Sequence, residues 1–362
     1  MLPSSAHPQP YIPDSGLTVV GAAPTTPPRI DLSLNESAFG ASPLAIAAAQ
    51  TRAERLHRYP DPASTELRTA IGKAFDLDPD TLVCGNGSEE ILDLVGRLYA
   101  RPGDEILFAD YGFLQFPIVA ARVGATAVTA PMRDLRVDVD ALLARVTSRT
   151  KIVFLDNPNN PCGRYVPAAD VERLRDGLPA GVVLVIDSAY ADFVGAADYS
   201  AGHEFVAGQE NVIVTRTFSK AWGLAALRVG WGHCAPSMAA TINRMRAIGN
   251  INALAQAAAV AALQDPDFVK RVAADTAAER ERLCAALVGL GLETVPSVTN
   301  FVMVRFLQTG NHRAGAARAH LAENGIRVRG VDDYGLDEFL RITIGLPADN
   351  DAVIAALTGF LV

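Results

Sequence analysis

The stretch KIVFLDNPNNPCG, residues 151–163, passes from an apolar run at Lys151–Leu155 straight into Asp156, Asn157, Pro158, Asn159, Asn160 and Pro161. Asn and Asp favour turns and proline cannot donate to a strand ladder, so this reads as a buried strand whose carboxyl end opens into a loop. The pattern returns downstream in VVLVIDSAY, residues 182–190, where Val182–Ile186 ends at Asp187 and Tyr190. It returns again in VIVTRTFSK, residues 212–220, where Val212–Thr215 leads to Thr217, Ser219 and Lys220. A further apolar run stands at Glu105–Ala109, and amphipathic segments such as Ala168–Arg175 lie between the runs. Strands alternating with helices predict an α/β fold: a doubly wound, mainly parallel sheet with helices on both faces. In such sheets ligands sit beyond the carboxyl ends of the strands, and here those ends carry the polar residues.

Outward from this centre, seven prolines in the first thirty residues predict an extended arm over 1–30. Pro43–Leu56 reads as a helix, and Ser64-Thr65-Glu66-Leu67 as the capped start of another. The large domain is expected over 31–252. From Ala253 a long Ala/Arg/Glu helix, strand-like Phe301–Phe306, a further helix and Leu340–Ile344 predict a smaller α+β domain over 253–362.

Composition narrows the function classes. Across 362 residues, 49% hydrophobic and 20% charged residues are those of a globular protein with a sizeable core, and the length suggests two domains. A net charge of −8 without long basic runs argues against nucleic acid as a partner. The four cysteines are scattered with no CxxC pair, and the six histidines form no HExxH, so no metal is expected and a reducing cytoplasm fits. The longest Ala-rich stretch, Ala253 to Leu263, is far shorter than a bilayer span, and no signal peptide opens the chain.

Taken singly, the strand-end residues are ordinary. Taken in order they resemble the fold-type I pyridoxal-phosphate (PLP) enzymes, and more closely the histidinol-phosphate aminotransferase branch. The resemblance runs through Pro10-Tyr11-Ile12-Pro13, Leu34-Asn35-Glu36, Arg58-Tyr59-Pro60-Asp61 and the GNGSEE loop at 85–90. It continues through NPNNPCG, DSAY, TFSKAWGLAALRVGW at 217–231, Asn250-Ile251-Asn252 and LRITIG at 340–345. It implies pyridoxal 5′-phosphate as cofactor, a small-molecule amino donor and a 2-oxo acid as substrates, and a homodimer with shared sites.

The resemblance implies roles that elementary chemistry supports. Lys220 would carry the cofactor as a Schiff base and then move a proton, which a lysine amine can do once displaced. A solvated surface lysine is the commoner fate, but the apolar strand before it argues otherwise. Asp187, closing an apolar strand, would keep the pyridine nitrogen protonated, with helix capping as its plainer role. Asn160 and Tyr190 match positions that hydrogen-bond the ring oxygen, and Tyr111 the ring stacked on the pyridine. Backbone amides of Ser88 and Glu89 at a helix start, with Thr217, Ser219 and Arg228, would hold the phosphate. Tyr59 would reach the phosphate of the neighbouring subunit. Arg341 would bind the substrate carboxylate, with Arg329, Tyr11 and Asn35 also on the substrate side. For Arg327 and Arg329, a solvated strand face with ion-pair neighbours such as Asp332 or Asp333 is the bland alternative.

Three departures bear on the substrate: Ser188 replaces the usual glutamate of DEAY, Ser37, Ala38 and Phe39 replace Asn, Pro and Tyr, and Ile248-Gly249 replaces Pro-Phe. The leading expectation is transfer between histidinol phosphate and 2-oxoglutarate. Aromatic or other amino acids, a threonine-phosphate-type decarboxylase, and a non-catalytic sensor module are the alternatives.

Overall fold

The computed structural model describes residues 28–307 and 310–362, so the expected Pro-rich arm, Tyr11 included, lies almost wholly outside the described residues. A seven-stranded sheet forms the centre, in the spatial order Leu82–Gly85, Gly230–Cys234, Val212–Thr217, Val183–Asp187, Thr150–Asp156, Glu105–Ala109, Thr126–Ala130. From Val212–Thr217 to Thr126–Ala130 the neighbours are parallel, and Gly230–Cys234 is antiparallel to both of its partners. Period-two alternation splits the core. Phe154 stacks on Phe116 on one face at 4.6 Å, while Val153 and Leu155 pack with Leu184, Ile186 and Val214 on the other.

The four strands expected around the centre are present with shifts of one or two residues at their ends. Three sheet strands were not anticipated. Of these Gly230–Cys234, sequence GWGHC, reads poorly as a strand because two glycines and a histidine interrupt it. Gly230 is required there: a Cβ would collide with the backbone N of Ser88, so the strand lies directly against a helix start.

A second, five-stranded sheet has the order Ile30–Leu32, Ile326–Gly330, Phe339–Thr343, Phe301–Arg305, Glu293–Thr294. Ile30–Leu32 pairs parallel with Ile326–Val328, so the chain begins its described course on the smaller sheet before entering the larger one. The expected long helix from Ala253 is two helices, Ala253–Leu263 and Pro266–Gly289, because Pro266 has no N–H to continue the first and suits the opening turn of the second. The first packs its alanines against Ala45, Leu67 and Ile71, and so joins the core beside the large sheet. The helix expected at Ser64 is present as Thr65–Phe75, but Ser64 has φ 48° and makes no side-chain cap. Asp61 takes the amides of Ala63 and Thr65 instead, at 2.9 and 2.6 Å. Among the described residues no helix is long and apolar enough to cross a membrane.

Candidate active site

Adjacent parallel strands end in register at Asp156 and Asp187, which places two carboxylates side by side at the carboxyl edge of the sheet. Both are buried. Burial pushes Asp187 up to about 6, against the opposing hydrogen bond from Thr215 Oγ1 at 3.0 Å. Asp156, at about 7, is raised first by burial and also by Asp187, while accepting from Asn160 N at 2.9 Å and Asn159 Nδ2 at 3.0 Å. Lys220 lies past the end of the next strand, half-buried, with Nζ donating to Leu34 O at 3.2 Å and standing 5.7 Å from the Tyr190 ring centre. Burial, helped by the Arg341 charge, pulls its amine down to about 8. A neutral amine is thus accessible near neutral pH, as a nucleophile or proton carrier requires.

A cradle of donors forms beside it. The helix Ser88–Tyr99 starts from Gly87 at φ +81°, a backbone that only glycine adopts without strain, and a Cβ there would stand 2.7 Å from an Arg228 terminal nitrogen. Arg228 itself has φ 52° and reaches Ser219 Oγ at 3.3 Å, and Thr217 Oγ1 donates to Ser219 Oγ at 3.0 Å. Free backbone N–H groups, two hydroxyls and a guanidinium converge, a donor set suited to a phosphate dianion. The Glu89 side chain already pairs loosely with Arg228 at 3.6 Å, so only its backbone suits an anion.

In the other sheet, the small one, Arg341 is buried on the central strand. Its guanidinium donates to Asn160 Oδ1 and, at 2.9 Å, to Ser33 O, lies over the Phe301 ring, and leaves Nε without a partner. It forms no ion pair among the described residues. A buried cation with neutral acceptors and an unused N–H is suited to a carboxylate from outside the chain. Asn35, held at φ 56°, donates from Nδ2 to Tyr190 Oη at 2.9 Å and ties Tyr190 to Thr343 of the same small-sheet strand. Burial raises the Tyr190 phenol to about 12.

The structure therefore brings together Lys220, Asp187, Tyr190, Asn160, Asn35 and Arg341, with Ser88, Glu89, Thr217, Ser219 and Arg228 alongside. Tyr111 is half-buried and its carbonyl accepts from Asn159 Nδ2 at 3.0 Å. Arg329 pairs with Arg341 across the sheet, so the two side chains share a face, but Arg329 is bound to Asp333 and Arg327 to Asp31. The plainer, ion-paired alternative is what the described residues display for both arginines. Tyr59 is 96% exposed and stands apart from the cluster. Sequence reasoning missed Asp156, though its place at a strand end was legible, and Thr215 and Ser33, which carry no motif.

A family model for the class I and II aminotransferases matches residues 27–357. The chain belongs to that family. It is 48% identical over 360 residues to the histidinol-phosphate aminotransferase of Rhodospirillum centenum, covering 99% of each chain. The crystal structure of histidinol-phosphate aminotransferase from Sinorhizobium meliloti in complex with pyridoxal-5′-phosphate superposes with a TM-score of 0.86 at 32% identity, covering 92% of this chain and 91% of that one. The L-threonine-O-3-phosphate decarboxylase of Porphyromonas gingivalis shares the fold alone, at 23% identity and a TM-score of 0.80. This aminotransferase thus has the fold-type I architecture that the resemblance implies, and the decarboxylase and sensor alternatives lose their ground.

Proposed function

We propose that this aminotransferase exchanges an amino group between L-histidinol phosphate and 2-oxoglutarate, using pyridoxal phosphate attached to Lys220. The observation that carries the reading is the buried Arg341, without an ion pair among the described residues, facing a half-buried Lys220 whose amine is pulled toward neutrality. When bound, the cofactor supplies an electron sink for the carbon that bears the amine. Its phosphate fits the cradle of Ser88, Glu89, Thr217, Ser219 and Arg228, and its pyridine nitrogen fits Asp187, the carboxylate nearest Lys220 in strand order.

The chain's own residues do the rest. Lys220 Nζ would take a proton from the substrate carbon and deliver it to the cofactor carbon that bore the aldehyde, a transfer that an amine titrating near the working pH performs best. Tyr190, fixed by Asn35, presents its hydroxyl to the same region, and Asn160 is held by Asp156 from behind. Arg341 anchors the oxo-acid carboxylate, which fixes the reacting carbon against Lys220. Histidinol phosphate carries its anion one carbon and one oxygen further from the reacting carbon. Arg329, beside Arg341 on the same sheet face, would meet it after releasing Asp333. The protein is a homodimer in this reading, with Tyr59 serving the neighbouring site.

Donors assayed against 2-oxoglutarate test the substrate. Histidinol phosphate should exceed histidinol by roughly ten- to a hundredfold in kcat/KM, and Arg329→Ala should erase most of that gap while sparing cofactor binding. Equal use of both donors, or a preference for phenylalanine or tyrosine, would overturn the substrate and leave the transaminase standing.

A further inference from the structure

Behind the site, on the sheet face opposite Thr215 and Thr217, lies an ion pair between a buried arginine and a half-buried aspartate that cofactor binding does not use. Arg216 alternates with those threonines and turns away from them, packing over the Phe75 and Trp231 rings at 5.2 and 5.8 Å. Its NH2 donates to Asp192 Oδ1 at 2.6 Å, and Asp192 is its only anion among the described residues. The other oxygen, Asp192 Oδ2, accepts from Trp222 Nε1 at 3.2 Å. His203, 3.4 Å from Arg216, is held neutral, pushed down to about 3 by burial and by the arginine, so it does not compete as a cation.

The connectivity gives this carboxylate a reach into the site. Asp192 follows Tyr190 by two residues within the short turn Ala191–Phe193, and Trp222 follows Lys220 by two. One half-buried carboxylate therefore ties together the segments that carry the two groups facing each other at 5.7 Å. We propose that Asp192 is a positioning residue for transamination, holding Tyr190 and Lys220 in mutual register through Arg216 and Trp222. Two donors to separate oxygens fix the carboxylate's orientation, and Arg216 and Trp222 are buried while the Asp192 side chain is 12% exposed, so the arrangement has little freedom to drift. Around the Lys220 amine stand Arg341, Arg228, Glu89 and Glu36, none of which touches Asp192, so a change at Asp192 reaches the amine through geometry.

The inference rests on Lys220 as the cofactor-bearing residue, and the test separates the two. Holoenzyme is prepared as wild type, Trp222→Phe and Asp192→Asn. Borohydride reduction and peptide mapping first establish which lysine holds the cofactor, and a peptide lacking Lys220 in the wild type overturns that assignment and the inference with it. With Lys220 labelled, both variants should keep the cofactor but shift the pH midpoint of its visible absorbance by about half a unit or more. They should also lose roughly tenfold in kcat, while KM for 2-oxoglutarate stays within about twofold, since misplacing a proton carrier slows chemistry without touching Arg341. A folded Trp222→Phe holoenzyme with wild-type absorbance midpoint and kcat overturns the role of Asp192. That variant decides the matter even where Asp192→Asn, which weakens the partner of a buried arginine, does not fold.

Discussion

Asp187 is costly to the cofactor-free protein. Its folded pKa of about 6 lies above the 3.8 of a free aspartate, so the native state holds a proton that the unfolded chain releases. Stability from this group is present below about pH 4 and is lost as pH rises to 6, a difference of about 3 kcal/mol by linkage. Asp187→Asn in the cofactor-free protein should therefore melt higher than wild type at pH 8, with the advantage vanishing near pH 4; equal melting at both would contradict it. With cofactor the sign of benefit reverses, since an amide cannot keep a pyridine nitrogen protonated, and turnover should drop by orders of magnitude. Lys220→Ala should fold yet retain no cofactor after borohydride treatment and denaturation, which mass spectrometry reads directly. At this scale much was legible, because strand-end residues advertise themselves. Asp156 was passed over since a single Asp before NPNNP also serves as a turn residue. The ion-paired state of Arg329 depends on Asp333 folding back four residues later, which spacing permits but does not require.

At the scale of elements, the helix Ser88–Tyr99 is placed by two glycines. Gly230 lets the antiparallel strand lie against its first amide, and Gly87 leaves room for the Arg228 guanidinium. Gly87→Ala would add strain at φ +81° and displace that guanidinium. Losing its charge-assisted contacts should weaken pyridoxal phosphate binding by roughly ten- to a hundredfold, measured by titrating the cofactor-free protein, with far-UV circular dichroism unchanged. Unaltered affinity would show that the cradle does not hold the phosphate. The strands richest in Val, Ile and Leu could be read from sequence, because fully buried parallel strands are continuous apolar runs. GWGHC could not, as its residues answer to close packing on a helix and to the His203–Trp231 stack rather than to strand propensity. Likewise the break at Pro266 was hidden by an alanine-rich composition that suits helix on both sides.

For the whole molecule, strand pairing shows what composition could not: Ile30–Leu32 belongs to the small sheet, and Asn35 just beyond it contacts Tyr190 beside the large one. The segment between the two sheets thus borders the site, as Lys220 donating to Leu34 O attests. Tyr59 lies apart from that site, almost fully exposed, with Ile248 92% exposed and Leu56 69% exposed. Under the dimer reading this tyrosine serves its neighbour's phosphate, and mixing makes a quantitative test. Tyr59→Ala should load cofactor roughly tenfold more weakly, having lost one hydrogen bond to a charged group. Lys220→Ala should be inactive. If the site is shared, a mixed dimer places both defects in one site and leaves the other intact. Random reassociation of equal amounts makes about half the dimers mixed, each with one good site of two, so about a quarter of wild-type activity should return at limiting cofactor. Were Tyr59 to act within its own subunit, every site in the mixture would carry one defect, and mixing would restore nothing. Light scattering showing a fully active monomer would remove the premise altogether.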